Sequence, residues 1–193
     1  MAKPAGSACN LDCAYCFYLS KRVLPGGPGS GHMPDEVLER FVKDYIDSVT
    51  SDEVVFSWQG GEPTLLGLEF FEKVVTLQAK HAKPGQRIEN DLQTNGTLLD
   101  DDWARFLKQQ RFLVGLSIDG PREIHDHCRI TKHAEPTFDQ VFAAAKMLQK
   151  HGVRFNTLTC VHRYNASRPL DVYRFLRREI GSTYIQFIPI VEI

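Results

Sequence analysis

The sequence predicts an α/β chain wound as a partial (β/α)6 barrel of parallel strands. Two observations carry this. Apolar, β-rich runs alternate with stretches of helical periodicity along the whole chain, the pattern of parallel strands joined by crossover helices. The chain has 193 residues, which at roughly 30 per strand–helix unit holds about six units. A closed eight-unit barrel needs about 250, so the barrel is expected to be open.

The strand-like runs are 53–58, 88–94, 112–118, 153–161 and 184–190. Helical patterns fill the intervals. Segment 34–50 opens with Pro34, Asp35 and Glu36; proline suits a first helical turn, and acidic residues suit the positive end of a helix. Its apolar residues Val37, Leu38, Phe41, Val42, Tyr45, Ile46 and Val49 recur at i, i+3, i+4 spacing. Segments 68–80, 100–110, 137–151 and 169–178 read the same way. Thr137 can cap the fourth helix and Gly152 can end it. Residues 24–31, with four glycines and two prolines, read as a flexible loop. Before the first cysteine, Met1, Ala2, Lys3 and Pro4 leave almost nothing for an opening strand, so that strand is expected to be truncated. No repeat or interdomain linker is visible, and 1–193 reads as one domain.

Composition is that of an ordinary soluble globular chain, 42% hydrophobic and 24% charged. A formal net charge of -1 predicts no electrostatic nucleic-acid surface. No apolar run approaches the roughly 20 residues that span a bilayer. No basic region followed by an apolar stretch marks a signal peptide. Five cysteines, three of them in a ligand pattern, argue against a disulfide framework and for a reducing cytoplasm. The expectations are a cytoplasmic protein without nucleic-acid or membrane partners.

Those three cysteines, Cys9, Cys13 and Cys16, form C-x3-C-x2-C with Tyr15 just before the last. Thiolates so spaced on a short loop can converge on three irons of a cubane cluster. Full protein ligation of a [4Fe-4S] cluster uses four cysteines, and Cys128 and Cys160 are more than a hundred residues away. Three ligands leave one iron open to a small molecule. The competing reading is zinc, which wants four ligands, commonly two pairs. His32 is the nearest further candidate and no second pair exists.

Polar residues gather where the predicted strands end, the side on which parallel α/β folds bind ligands. Gln59, Gly60, Gly61, Glu62 and Pro63 follow the first run; two glycines let a backbone approach a ligand closely. Gln93 to Gly96 follow the second, and Ser117 to Pro121 the third. Asn95–Gly96 and Asp119–Gly120 also read as ordinary turn chemistry. His125 and His127 lack a supporting third ligand and read as a solvated loop. Cys128 reads as incidental and Cys160 as a small buried hydrophobe. Arg163, Arg168, Arg174, Arg177 and Arg178 read as the solvated face of the late helix.

On the stretch from Cys9 to Tyr18, the chain resembles radical S-adenosylmethionine (SAM) enzymes. The resemblance implies a six-unit partial barrel and a [4Fe-4S] cluster on Cys9, Cys13 and Cys16. It implies an open iron that binds SAM, which is cleaved reductively to a 5′-deoxyadenosyl radical. It further implies SAM contacts at Tyr15, Gly60, Gly61, Glu62, Ser117, Arg129 and Ile185. Arg129, expected in a loop, would take the SAM carboxylate, which a guanidinium fits bidentately, and Ile185 would line the adenine.

The stretches 16–19, 58–64, 67–73, 92–97 and 112–121, with Ile124, His125, Asp126 and Arg129, resemble anaerobic sulfatase-maturating enzymes in particular. That implies oxidation of a Cys or Ser of a sulfatase polypeptide to Cα-formylglycine. It also implies a flavodoxin- or ferredoxin-type electron donor, and catalytic contacts from Tyr18 and Gln59. The family's auxiliary-cluster (SPASM) region and its proposed base have no counterpart before Ile193. The chain is therefore expected to be a radical SAM core that binds cluster and SAM without completing turnover. Two other readings stay open: a radical SAM maturase forming thioether or other crosslinks in a ribosomal peptide, and a non-catalytic module with a zinc-filled or empty three-cysteine site.

Overall fold

The computed structural model describes residues 1–18 and 32–190, so the glycine-rich stretch 24–31 lies outside the described residues. Five strands form one parallel sheet: β1 (Glu53–Trp58), β2 (Arg87–Thr94), β3 (Leu113–Ser117), β4 (Arg154–Val161) and β5 (Ile185–Pro189). Their spatial order is their order in sequence. A doubly wound sheet reverses its order at a switch point; here there is no reversal, and the sheet forms a curled half-barrel.

The predicted helices appear as α1 (Asp35–Ser48), α2 (Leu68–His81), α3 (Asp101–Gln109), α5 (Phe138–Lys150) and α7 (Pro169–Arg178). Three short elements lie between them: a 3₁₀ turn (Pro63–Leu66), α4 (Arg122–Cys128) and α6 (Arg163–Ala166). Each is a turn or two, too short for periodicity to register. Five strands stand where six were expected. The sixth place holds only Ala2, whose N–H donates to Ser57 O at 2.8 Å and whose carbonyl accepts from Gln59 N at 3.0 Å. Ala2 makes a single parallel bridge to Trp58, on the side of β1 where a sixth strand was expected.

The core lies between the sheet's outer face and the helices. Val54, Phe56 and Trp58 of β1 alternate inward with exposed or half-exposed neighbours. They pack with Leu38, Val42, Ile46, Phe71, Val74 and Leu107, all fully buried. Each such side chain contributes roughly 1.5–3 kcal/mol. Parallel sheets covered on both faces read as continuous apolar runs. Here the opposite face carries Ser57, Asp91, Gln93 and Ser117, so it lines an interior that is not a packed core.

Thr137 occupies the N-cap position of α5, but its side chain does not cap. Its hydroxyl donates to Arg129 O at 2.7 Å. Asp126 of α4 caps instead, its Oδ1 accepting from Thr137 N and Phe138 N, each at 2.9 Å. Gly152 ends α5 as expected, at φ +65°.

Candidate functional site

The three cysteines sit on a loop pinned from two sides. On one side, Asp12 N donates to Ile130 O and Ala14 N to Cys128 O, both at 2.9 Å. On the other, residues 3–8 form two tight turns, with Gly6 N bonded to Lys3 O and Ala8 N to Ala5 O. That stem docks on the end of β1: Gly61 N donates to Gly6 O at 2.9 Å and Glu62 N to Ala8 O at 2.8 Å. The glycines have a reason besides the expected ligand approach. A Cβ on Gly61 would stand 2.0 Å from Ala8 O, and one on Gly60, at φ +127°, 2.8 Å from Gly6 O. The space that side chains would fill is occupied by the stem of the cysteine loop. Gly61→Val is therefore expected to expel the stem, lowering the melting temperature and the iron loading together. Melting and iron content equal to wild type would show that the stem can shift without cost.

Cys13 is buried, and Cys9 and Cys16 are half-buried. Burial pushes the Cys13 thiol up to about 12, with Arg129 pulling against it. Burial also raises Cys9, opposed by the N–H of Leu11. The neighbouring thiols add to both shifts, so the three feel one another's charge. Leu11 N points at Cys9 Sγ at 3.4 Å and Asn95 Nδ2 at 3.8 Å. Sulfur ligands with N–H donors aimed at them suit an iron–sulfur cluster, whose potential such bonds tune. Among the described residues, no three His, Cys, Asp or Glu side chains are gathered as a single-ion site. Loading would drive protons off these thiols, because the metal binds thiolate.

The centre of the site is Asp119, which the sequence offered both as a polar residue at the mouth and as turn chemistry. It is fully buried at the end of β3. Its Oδ2 accepts from Tyr15 Oη at 2.5 Å and from Arg129 Nε at 3.0 Å. Its Oδ1 accepts from Cys160 N at 3.0 Å, tying β3 to β4. Arg129 sits, as expected, in the loop, directly after α4, with its N–H on His125 O. It is 6% exposed. Burial works against its charge, and Asp119 beside it overrules this and holds the guanidinium protonated. The same guanidinium lies 5.6 Å from the Tyr15 ring centre. Burial raises the Tyr15 phenol despite Arg129, so Tyr15 is a neutral donor.

Glu62 sits at the end of β1, also buried. Its carboxylate accepts from Thr64 N, Thr64 Oγ1, Thr94 Oγ1 and Asn95 N, at 2.7–3.1 Å. Burial raises its pKa and those four bonds oppose the rise. The carboxylate is thus committed to joining the ends of β1 and β2. Asn95 extends the join to the loop, donating to Asn10 Oδ1 at 2.9 Å, while Asn10 donates to Thr97 Oγ1 at 2.8 Å. Ser117 is half-buried at the end of β3, and its hydroxyl has no partner among the described residues. Gln59 and Tyr18 are half-buried; Lys3 Nζ lies 5.2 Å over the Tyr18 ring.

Ile185 is the predicted residue that the fold does not bring here. It opens β5, pairs with Thr157, and packs on the helix-covered core. The strand's far end, Pro189, lies four residues on, about 13 Å at the usual rise.

Three further readings change. His125 is not in a solvated loop but on the inner face of α4, fully buried. Its ring faces Thr137 Oγ1 at 3.1 Å and Asp119 N at 3.4 Å, and burial, with Arg129 adding to it, pushes its pKa down to about 3. Cys160 is half-buried rather than core, with Arg129 Nη2 at 3.9 Å. His162 belongs to none of the sequence motifs. It stacks on Tyr15, ring centres 5.7 Å apart, and lines a cavity of about 1100 Å³ beside the cysteine loop. The signal for it was its place directly after a predicted strand. Of the late arginines, Arg163, Arg174, Arg177 and Arg178 are exposed as expected, while Arg168 is half-buried and paired with Glu123 and Asp171.

A family model described as the Radical SAM superfamily matches residues 4–176. A serine-type anaerobic sulfatase-maturating enzyme of Bacteroides thetaiotaomicron is 47% identical over 192 residues, covering 100% of this chain and 46% of that protein. A cysteine-type enzyme of Clostridium perfringens is 47% identical over 189 residues, covering 97% and 50%. A solved structure described as native anSMEcpe with bound AdoMet and Kp18Cys peptide superposes with TM-score 0.91 at 46% identity, covering 98% of this chain and 50% of that one. SuiB of Streptococcus suis, with its precursor peptide SuiA, shares the fold at TM-score 0.72 and 16% identity. The chain spans about half the length of the curated relatives it matches.

Proposed function

Because this chain belongs to the radical SAM superfamily, we propose that it holds a [4Fe-4S] cluster on Cys9, Cys13 and Cys16, binds SAM beside it, and oxidises a Cys or Ser of a sulfatase polypeptide to Cα-formylglycine. The observation that carries the sulfatase reading is near-even identity, 47%, to serine-type and cysteine-type maturases across essentially the whole chain. When bound, the cluster and SAM would together supply one-electron hydrogen abstraction from the target side chain.

The rest is the work of this chain's residues. The stem on Gly60 and Gly61 fixes the height of the cysteine loop over the sheet. Arg129 has its Nε on Asp119 and offers its remaining N–H groups to the SAM carboxylate, a planar partner that suits them. Ser117 offers an unengaged hydroxyl at the same rim. Tyr15 walls the pocket with its phenol locked to Asp119. Backbone groups of residues 60–62 face the methionyl end, since the Glu62 carboxylate is already spent. Ile185, on the core side of β5, takes no part in this account. Tyr18 and Gln59 remain the candidates for touching the target peptide. A flavodoxin- or ferredoxin-type protein would deliver the electrons, and a reducing cytoplasm would keep the five unpaired thiols free. Among the described residues no helix is long and apolar enough to cross a membrane.

The test is anaerobic incubation of iron- and sulfide-loaded protein with SAM, dithionite and a sulfatase peptide carrying the target Cys. Mass spectrometry should find the peptide bound and hydrogen from its target Cβ passed to 5′-deoxyadenosine, with little formylglycine unless the auxiliary-cluster region is supplied. No transfer from that Cβ, or a crosslinked peptide, would remove the sulfatase reading.

A further inference from the structure

Three consecutive carbonyls at the end of α4 are held from two directions. Cys128 O accepts from Ala14 N and Ile130 O from Asp12 N, so the cysteine loop rests on the outer two. The middle one, Arg129 O, accepts instead from the Thr137 hydroxyl at 2.7 Å. Backbone carbonyls at a helix end lack helical partners, so each takes one from elsewhere. The Arg129 side chain therefore leaves the chain from the same short segment that carries the loop.

The Thr137 hydroxyl is itself held. Asp119 N donates to His125 Nδ1 at 3.4 Å. A backbone N–H can only donate, so Nδ1 is bare and the ring proton of a neutral imidazole sits on Nε2. Nε2 faces Thr137 Oγ1 at 3.1 Å. Thr137 gives its one hydroxyl proton to Arg129 O, so its oxygen accepts from Nε2–H. The two ends require the same tautomer. Burial, with Arg129 beside the ring, keeps it neutral. Asp126 holds Thr137 N at 2.9 Å, which fixes the backbone under the hydroxyl. A relay of neutral hydrogen bonds thus runs from Asp119 N–H through His125 and Thr137 to Arg129 O, and all four residues are buried. The head of Arg129 returns to the start of the relay, its Nε on Asp119 Oδ2 at 3.0 Å.

We propose that His125 is a positioning residue for SAM: through Thr137 it fixes the backbone of Arg129, and with it the reach of the guanidinium beside the cysteine loop. The ion pair with Asp119 orients the head of the side chain, and the relay holds its root. A long side chain tied only at its head can still shift against the loop. Tied at both ends, it keeps its remaining N–H groups in place before the ligand arrives, which lowers the ordering cost of binding. A neutral ring suits this role, because a cation at position 125 would repel the guanidinium. The inference rests on the assignment of Arg129 to the SAM carboxylate made above.

The test measures SAM affinity by calorimetry on the iron–sulfur-loaded full chain, expressed per loaded chain and well below each variant's melting temperature. Thr137→Val and His125→Phe each break the relay while keeping the volume. Each is expected to weaken SAM binding roughly three- to tenfold, the effect of one neutral hydrogen bond. Thr137→Ser keeps the hydroxyl and should bind SAM as wild type does. The double variant His125→Phe with Thr137→Val should be no weaker than either single, since both break the same relay. In an Arg129→Lys background, which leaves a cation on Asp119 but no planar fork, neither change should weaken SAM binding further. A role in packing alone would make the losses add and persist in that background. Nitrogen-15 spectra of the full chain at neutral pH should show His125 protonated on Nε2 and bare on Nδ1. Wild-type SAM affinity in Thr137→Val, additive losses, or a proton on Nδ1 would overturn the proposal. Wild-type SAM affinity in Arg129→Lys would instead overturn the assignment of Arg129, and this inference with it.

Discussion

Alanine at Cys9, Cys13 and Cys16 together is expected to give a folded, colourless protein that carries essentially no iron and forms no 5′-deoxyadenosine. The loop's anchors do not need sulfur. Asp12 and Ala14 bond through their backbone to the carbonyls of Ile130 and Cys128, and the stem bonds through backbone to Gly61 and Glu62. Removing the thiols removes the loop's three soft ligands while leaving those bonds in place. Iron and sulfide content after anaerobic reconstitution, with the visible spectrum, decides the matter. Wild type should hold about four irons per chain. A triple variant retaining near that number would place the cluster elsewhere.

Asp119→Ala should cost more stability than any other single change at the mouth. It leaves the Arg129 guanidinium, 8% exposed as a side chain, without its anion. It also strips acceptors from Tyr15 and from the Cys160 N–H. Removing one partner of a buried pair typically costs about 3–5 kcal/mol, which lowers the melting temperature by about 6–20 °C in a chain of this size. The double variant Asp119→Ala with Arg129→Met should recover part of the loss, because no unpaired charge remains. Chemical denaturation of the four proteins of the cycle gives the coupling directly. A single variant within 1 kcal/mol of wild type would mean that the pair is not what holds Arg129 in place.

The frame was legible where patterns were long. Helix α1 announced itself by its acidic opening and seven spaced apolar residues. Strand β1 did so by a run ending at Trp58, which the structure buries completely. The short elements were not legible. Seven residues of α4 follow Asp119, Gly120 and Pro121, which read as a turn, so His125 looked solvated although the helix turns it inward onto Asp119. The cysteine loop was legible because its ligands are close in sequence. The Asp119 hub was not, because it is assembled across β3, α4, β4 and the loop: Tyr15, Arg129 and Cys160 meet one carboxylate from positions up to 104 residues away. Strand register also decides Ile185. Its pairing with Thr157 puts it on the core side and at the wrong end of β5, a distinction that an apolar residue in an apolar run does not display. The two glycines were found for an incomplete reason, since the backbone approaching them is the chain's own.

At the heart of the proposed chemistry, this site takes hydrogen from the Cβ of a sulfatase side chain. The direct measurement is deuterium transfer. A sulfatase peptide deuterated at the Cβ of its target Cys is incubated anaerobically with loaded protein, SAM and dithionite, and the 5′-deoxyadenosine formed is weighed by mass spectrometry. Deuterium is expected in the deoxyadenosine, and none when the label sits at Cα. Deoxyadenosine carrying only solvent hydrogen, or label arriving from Cα, would contradict it.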